Sequence, residues 1–166
     1  MTLLAILLAV LVSAGAALWL TVGTDVTGRR EAARLVEETM DAWERGARPD
    51  PRRSGEVIAI LSSPRLGTWP VLVGVQDTEL DRGLGWYPVT GHPGEDGNMA
   101  IAGRRLTHGS PLRHLDQMRP GDTITLQIPG TRFSYRVIEA PAHIGSGKDA
   151  GWVLDPVPGK KDAVPD

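Results

Sequence analysis

Cysteine is absent from the 166 residues of this sequence. Without a thiol the chain cannot form a disulfide, bind a metal through thiolates or use a cysteine as a nucleophile. The absence does not identify a compartment, because exported domains need not contain disulfides.

An excess of positive charge is also lacking. Eighteen Lys and Arg stand against twenty Asp and Glu, for a net charge of −2. Nucleic-acid partners are usually recognised by a basic excess gathered on one face, so no nucleic-acid partner is predicted.

Glycine and proline are abundant, with twenty and thirteen residues respectively. This composition predicts many short strands and turns rather than a helical bundle. A hydrophobic content of 41% is enough to form a core, and the length fits one domain with an anchor.

A stretch without charge, Leu3 to Val22, begins near the start of the chain. About 20 apolar residues at ~1.5 Å rise cross a ~30 Å hydrocarbon core, so residues 1–24 are predicted to form a transmembrane anchor. A cleaved signal peptide is the alternative, since Ala14-Gly15-Ala16 resembles a small-residue cleavage site. The missing basic n-region and the apolar run that continues to Leu20 favour the anchor.

Residues 25–54 are predicted to form an amphipathic helix and a linker. Apolar side chains at three- and four-residue spacing share one face of the helix: Ala32, Leu35, Val36, Met40 and Trp43. Gly46 and the prolines after it end the helix and stiffen the linker. The preferred interpretation is a stalk that lifts the domain from the membrane. The alternative is a helix that packs its stripe against the domain and regulates access to it.

Residues 55–166 show short apolar runs separated by turn residues, which is typical of a β domain. The predicted strands are Glu56–Leu61, Trp69–Val75, Asn98–Gly103, Thr123–Ile128, Thr131–Glu139 and Trp152–Leu154. Asp77–Arg82 is predicted to form one helical turn. Pro111–Met118 is predicted to form a short helix with Ser110 as its N-cap.

No metal or cofactor site is predicted. A zinc site from His92, His108 and His114 would require all three to converge, and their spacing gives no support for it. A packing or surface role is therefore preferred for His108. Glu95 with Asp96 could seat calcium in a loop, but paired acids in a Gly-rich turn are more often solvated.

The stretch Gly97 to Arg105 ends an apolar run in a glycine and two arginines. It resembles the end of the strand that carries the catalytic histidine in sortases, the membrane-anchored cysteine transpeptidases of Gram-positive envelopes. The actinobacterial class E is the nearest subtype. Arg104 stands at the position where that histidine is expected.

The resemblance covers roughly Gly55 to Gly159, with its elements in the family's order. The matching segments are Glu56–Leu61, Trp69–Val75, Leu84–Pro88, Pro93–Gly94, Gly97–Asn98, Pro111–Asp116, Arg119–Asp122, Tyr135–Val137 and Val153–Pro156. Each segment is weak alone, but the ordered set is specific. It implies a mainly β fold, a sortase-type β-barrel on an N-terminal transmembrane helix. We expect the barrel of residues 55–166 to be C-terminally incomplete, because the family's Thr-Leu-x-Thr-Cys strand is not found before Asp166.

The resemblance also implies a mechanism for which this sequence lacks the groups. A sortase cleaves a Thr–Gly bond of a sorting signal through a cysteine thioester, with a histidine as acid and a later arginine stabilising the oxyanion. Arg104 cannot replace the histidine, because a guanidinium does not exchange a proton at neutral pH. Ser146 lacks the strand–turn–helix setting of a nucleophile elbow. We therefore assign no catalytic residue.

These features predict a sortase-family envelope protein that is inactive as this chain, either a truncated product or a degenerate paralogue. The alternatives are a non-catalytic module that binds a peptide or a partner, and an unrelated membrane-tethered assembly factor. The family partner would be the sorting-signal peptide of surface proteins. The resemblance also implies a single-pass cell-membrane protein with its domain outside the cytoplasm. Arg29, Arg30 and Arg34 after the anchor would by themselves predict the opposite orientation.

Overall fold

The structure is a computed structural model that describes residues 23, 25–144 and 148–158. Helix α1 covers residues 25–44. The six strands are β1 (Val57–Ser63), β2 (Gly67–Val73), β3 (Leu84–Trp86), β4 (Ile101–Gly103), β5 (Thr123–Ile128) and β6 (Thr131–Arg136). The remaining helices are α2 (Asp77–Leu80) and two 3₁₀ helices, Leu115–Gln117 and Lys148–Leu154.

The six strands form one sheet in the order β4-β3-β2-β1-β5-β6. Neighbouring strands are antiparallel except β2 and β3, which run parallel. Among the described strands the sheet is open, with β4 and β6 at its two edges. The prediction of a mainly β domain is confirmed.

Strand β3 was not predicted as a strand, because it has three residues and a glycine in the middle. The glycine is required there by a close backbone approach. A Cβ at Gly85 would lie 2.3 Å from the carbonyl oxygen of Gly74, so only a residue without a side chain fits. Glycine inside an apolar run therefore marks a tightly packed strand in this chain.

Two predicted elements are wrong. Residues 111–114 form turns, and only Leu115–Gln117 is helical, because the Ser110 hydroxyl donates to the Asp25 carboxylate instead of capping a helix. The predicted last strand lies within the 3₁₀ helix Lys148–Leu154. The side-chain amide of Asn98 donates to two carbonyl oxygens there, those of Val153 and Asp155, at 2.7 and 3.1 Å. That segment is thereby held by a side chain rather than by a strand ladder.

The larger core lies on one face of the sheet. Its buried residues come from four strands and the connections between them: Ile58, Ala59, Leu61, Leu66, Trp69, Val71, Val73, Leu84, Trp86, Met118 and Leu126, with Ala32 of α1. Burial of this apolar surface supplies the main driving force for folding.

Helix α1 packs on the other face. Val57, Ile60 and Leu72 are buried there against a stripe formed by Leu35, Val36, Met40 and Trp43. Val57 and Ile60 are three residues apart, which in a regular strand would put them on opposite faces. A bulge between Val57 and Ala59 shifts the register and lets both face the helix. Four of the five predicted stripe residues thus pack on this face, and Ala32 is buried in the larger core. The helix contacts the domain as in the alternative interpretation, and the preferred interpretation of a stalk is wrong for residues 25–44.

The turn between β1 and β2 is tied to the start of β5. Arg65 Nε donates to Asp122 Oδ2 at 2.5 Å, and the backbone N–H of Arg119 donates to the same oxygen. The Arg65 hydrogen bond, followed by that of Arg119, holds the pKa of Asp122 below its usual range. A lowered carboxyl pKa stabilises the fold above the ordinary aspartate pKa. That contribution disappears as the pH falls through the lowered value.

No helix among the described residues is long and apolar enough to cross a membrane. The predicted anchor, Leu3 to Val22, lies outside the described residues.

The packing of α1 on β2 predicts a large effect for Leu72→Ala. Leu72 is fully buried, so the change should lower the free energy of unfolding by about 2–5 kcal/mol through lost burial and a residual cavity. Leu106→Ala is the matched control, because Leu106 is 71% exposed and should change stability by less than about 0.5 kcal/mol. Urea unfolding of both variants measures this. Equal losses would contradict the packing.

Candidate functional site

Arg104 directly follows the last residue of β4. Its carbonyl oxygen accepts a hydrogen bond from the backbone N–H of Leu112 at 3.1 Å, which closes the intervening loop on itself. The side chain is 28% exposed. Position 104 therefore lies at the end of β4 and at the start of a loop whose two ends are joined by this hydrogen bond.

The guanidinium of Arg104 is held by two carboxylates, those of Asp77 in α2 and of Asp81, the C-cap residue directly after it. Its Nε and Nη2 lie 2.7 and 2.6 Å from Asp81 Oδ1, and Nη2 lies 2.9 Å from Asp77 Oδ1. Asp77 and Asp81 are four residues apart, so one turn of helix brings both to the same side. The sequence analysis missed both residues. Their signal was the predicted single helical turn with an acid at each end.

A third acid of the same segment is buried and holds α2 in place. Glu79 accepts hydrogen bonds from the backbone N–H of Gln76 at 3.0 Å and from the Ser54 hydroxyl at 3.1 Å. Both bonds satisfy a carboxylate that is only 6% exposed. Glu79 therefore fixes the helical turn whose ends bind Arg104.

The three histidines that were considered for a zinc site and rejected lie in different surroundings. His92 packs its ring on Trp86, His114 contacts Gln117, and His108 faces Asp81. Nδ1 of His108 is 3.5 Å from Asp81 Oδ1 and is buried without a hydrogen-bond partner. Groups of three or more metal-binding side chains do not occur in the described part of the chain.

The structure describes two of the three remaining candidate residues, Glu95 and Asp96. Glu95 accepts a hydrogen bond from the backbone N–H of His92 at 2.9 Å, within its own loop, and Asp96 is exposed. Ser146 lies outside the described residues.

A cavity of about 450 Å³ lies beside β4, on the face of the sheet that carries the larger core. Its walls are mostly aliphatic: Leu61, Leu66, Leu84, Met99, Ile101, Leu112, Leu115, Ile124 and Leu126. Polar groups come from His92, Glu95, Asn98 and Tyr135. Arg104 is not among the described residues that line it. The cavity can hold an apolar group. The side chain of Arg104 pairs with Asp77 and Asp81 instead of lining it.

The loop between β3 and β4 forms part of this cavity and is held at both ends. The indole N–H of Trp86 donates to the carbonyl of Gly91 at 3.0 Å, and the backbone N–H of Gly94 donates to the Tyr135 hydroxyl at 3.0 Å. A Cβ at Gly94 would lie 2.2 Å from the Phe133 ring, so the loop lies directly on β6. The cavity is therefore bounded by fixed elements.

Three consecutive residues after Arg104 have a left-handed backbone. The φ angles of His108, Gly109 and Ser110 are 52°, 84° and 52°. The left-handed conformation costs a residue with a Cβ roughly 1–2 kcal/mol. No local sequence pattern reveals this strain, which only surrounding contacts can maintain.

A family model for the sortase domain matches residues 61–163. Sortase SrtE1 of Streptomyces coelicolor is 30% identical over 154 residues, which are 81% of this chain. The chain spans about 40% of the length of that curated relative.

Solved structures give the same result. Sortase E from Streptomyces avermitilis matches with 35% identity and a TM-score of 0.60, over 68% of this chain and 74% of its own. The SrtA sortase of Actinomyces oris matches with 31% identity and a TM-score of 0.62, over 71% and 67%. Sortase E1 of S. coelicolor, solved with a tripeptide in its active site, has 30% identity and a TM-score of 0.57, over 66% and 72%.

The ion pairs of Arg104 predict a measurable loss of stability for Asp81→Asn. The change removes the carboxylate that binds two guanidinium nitrogens in a partly buried setting, and we expect a loss of about 1–2 kcal/mol. Asp116→Asn is the control, because Asp116 pairs with the neighbouring Arg105 where both side chains are about half exposed. It should cost under about 0.5 kcal/mol. Chemical denaturation compares the two, and equal effects would contradict a structural role for the Arg104 pairs.

Proposed function

The chain belongs to the sortase family and is similar to class E sortases, and we propose that these 166 residues form a sortase-type domain without transpeptidase activity. The observation that supports the proposal most strongly is the pairing of Arg104 with two carboxylates. The family resemblance expects a histidine at this position, and the arginine is committed to Asp77 and Asp81.

The chemical groups that a sortase mechanism requires, an acid, a group that stabilises charge and a thiol, support this proposal. A general acid must hold and release a proton near neutral pH, and a guanidinium stays protonated there. Two of the Arg104 nitrogens already donate to carboxylates, which leaves the group poorly placed for stabilising charge on a substrate. The sequence also supplies no thiol that could form a thioester.

A second candidate function is the binding of a peptide without cleavage. The cavity beside β4 supports it, because mostly aliphatic walls with a few polar groups are typical of binding sites for small molecules and apolar groups. In this role the partner would be an extended peptide with an apolar side chain, such as the sorting signal that the family acts on.

We further propose that residues 1–24 anchor the protein in the cell membrane and that the domain lies outside the cytoplasm. The length and apolarity of Leu3 to Val22 support the anchor. Family membership supports the orientation, and the three arginines after the segment oppose it.

The chain should not cleave a labelled Leu-Ala-x-Thr-Gly or Leu-Pro-x-Thr-Gly peptide, with or without an amine acceptor. Arg104→His alone should restore nothing, because an acid without a nucleophile has no intermediate to act on. Activity should return only when that change is combined with a grafted cysteine- and arginine-bearing C-terminal segment, and the gain should be strongly non-additive. Chromatography of the released fragment is the measurement. Turnover by the unmodified chain would disprove the proposal.

The same peptides distinguish an inert domain from a binding module. Fluorescence anisotropy should show saturable binding that Ile101→Glu weakens at least ~10-fold, since a carboxylate would then enter an aliphatic wall. Ile138→Glu makes the same change at a side chain that is 82% exposed and should leave binding unaltered. Equal binding by both variants would place the peptide elsewhere, and no binding would reject the second function.

Orientation is tested by protease treatment of intact cells. If the domain lies outside, it should be digested without lysis, while a cytoplasmic marker protein survives. Survival of the domain until lysis would show that the domain lies in the cytoplasm, as the three arginines after the anchor predict.

A further inference from the structure

The strained segment after β4 lies under the first turn of α1. Arg29 Nη2 donates to the carbonyl oxygen of Gly109 at 3.0 Å. Asp25 accepts a hydrogen bond from the Ser110 hydroxyl with one oxygen and pairs with Arg113 Nη2 at 3.1 Å with the other. Side chains of α1 thus bind two of the three residues with a positive φ, Gly109 and Ser110, and also bind Arg113.

The backbones are also in direct contact. A Cβ at Gly28 would lie 2.4 Å from the carbonyl carbon of His108, and one at Gly109 would lie 2.9 Å from the backbone nitrogen of Arg29. The same Cβ at Gly109 would also lie 2.8 Å from the ring of Trp69, over which the Arg29 guanidinium lies at 5.5 Å. Gly109 and Ser110 are thus buried between α1 and the core.

The enclosed segment is connected to Arg104 in two ways. The N–H of Leu112 donates to the Arg104 carbonyl, so the backbone at both ends of the loop is joined. His108 faces the Asp81 oxygen that also accepts the hydrogen bond from Arg104 Nε. The shape of the loop thus determines what surrounds the carboxylate that fixes Arg104.

We propose that the first turn of α1 is a clamp, formed by Asp25, Gly28 and Arg29, that keeps residues 108–110 in their left-handed conformation. Release of the clamp lets these residues relax to ordinary backbone angles, moves His108 away from Asp81 and loosens Arg104. A displacement of α1 relative to the sheet is thereby transmitted to the end of β4. The clamp needs no catalytic step, so it can hold or fail independently of the proposed inactivity.

The test compares the double variant Asp25→Ala/Arg29→Ala with Arg34→Ala in the full chain, purified in detergent. Arg34 lies on the same helix and pairs with Glu38 at an exposed surface, which makes it the matched control. Hydrogen–deuterium exchange of the six backbone amides in residues 107–113, where Pro111 has none, should accelerate at least ~10-fold in the double variant and remain unchanged in the control. Amides of β1 and β2 should keep their protection in both. Unchanged exchange at 107–113 in the double variant would overturn the proposal.

A single variant, Arg29→Met, covers the case in which the double variant unfolds. It removes the hydrogen bond to Gly109 and the contact of the guanidinium with Trp69, keeps the contacts of Asp25, and should accelerate exchange in the same six amides by a smaller factor. Acceleration spread evenly over the sheet would show that Arg29 supports the whole fold and would overturn a local clamp.

Two further measurements separate a clamp from simple packing. The Nε–H signal of Arg104 in NMR spectra should exchange faster with water in the double variant, since its partner Asp81 is disturbed. Adding Ser110→Gly to that variant should restore part of the protection at 107–113, because glycine adopts a positive φ without strain. An unchanged Arg104 signal, or no recovery with glycine, would show that strain at the loop is not coupled to the site.

Discussion

The burial of β1 and β2 on both faces of the sheet is the constraint on which the rest of this structure depends. Strands in an antiparallel sheet commonly keep one face in water, yet every residue of β2 from Trp69 onward is buried. The second face is covered by α1, and the bulge at the start of β1 makes that contact possible. Without the helix, Val57, Ile60 and Leu72 would form an exposed apolar patch in the centre of the sheet.

The position of α1 in turn decides the surroundings of Arg104. The apolar stripe near its middle and end is fixed on β1 and β2, so its first turn necessarily falls on the loop after β4. The same helix thus contributes to stability at one end and to the geometry of the candidate site at the other. On the far side of that site, Glu79 holds α2 and thereby presents Asp77 and Asp81. The guanidinium of Arg104 is therefore held by α2 and its C-cap residue, while the backbone of Arg104 continues from β4.

Much of the fold could be predicted from the sequence, and the failures have physical causes. Four of the six strands were located to within a few residues, because their apolar runs are bounded by turn residues. The fifth, β4, was predicted three residues too long at its start. Strand β3 escaped because a glycine inside it serves a backbone contact that no local pattern reveals. The helix predicted from Pro111 failed because the Ser110 hydroxyl is bonded to Asp25, 85 residues earlier in the chain.

The candidate site was predictable in position but not in chemistry. The family-like stretch that ends at Arg105 directed attention to position 104, and the structure surrounds that position with groups suited to an arginine. Asp77 and Asp81 both pair with Arg104, so a neutral side chain at position 104 would remove the cation that these two neighbouring carboxylates share. Arg104 is thus coupled to α2 through charge. The arginine is thus matched to the two acids that surround it, and an exchange of the cation or of the acids alone would leave charge unbalanced there.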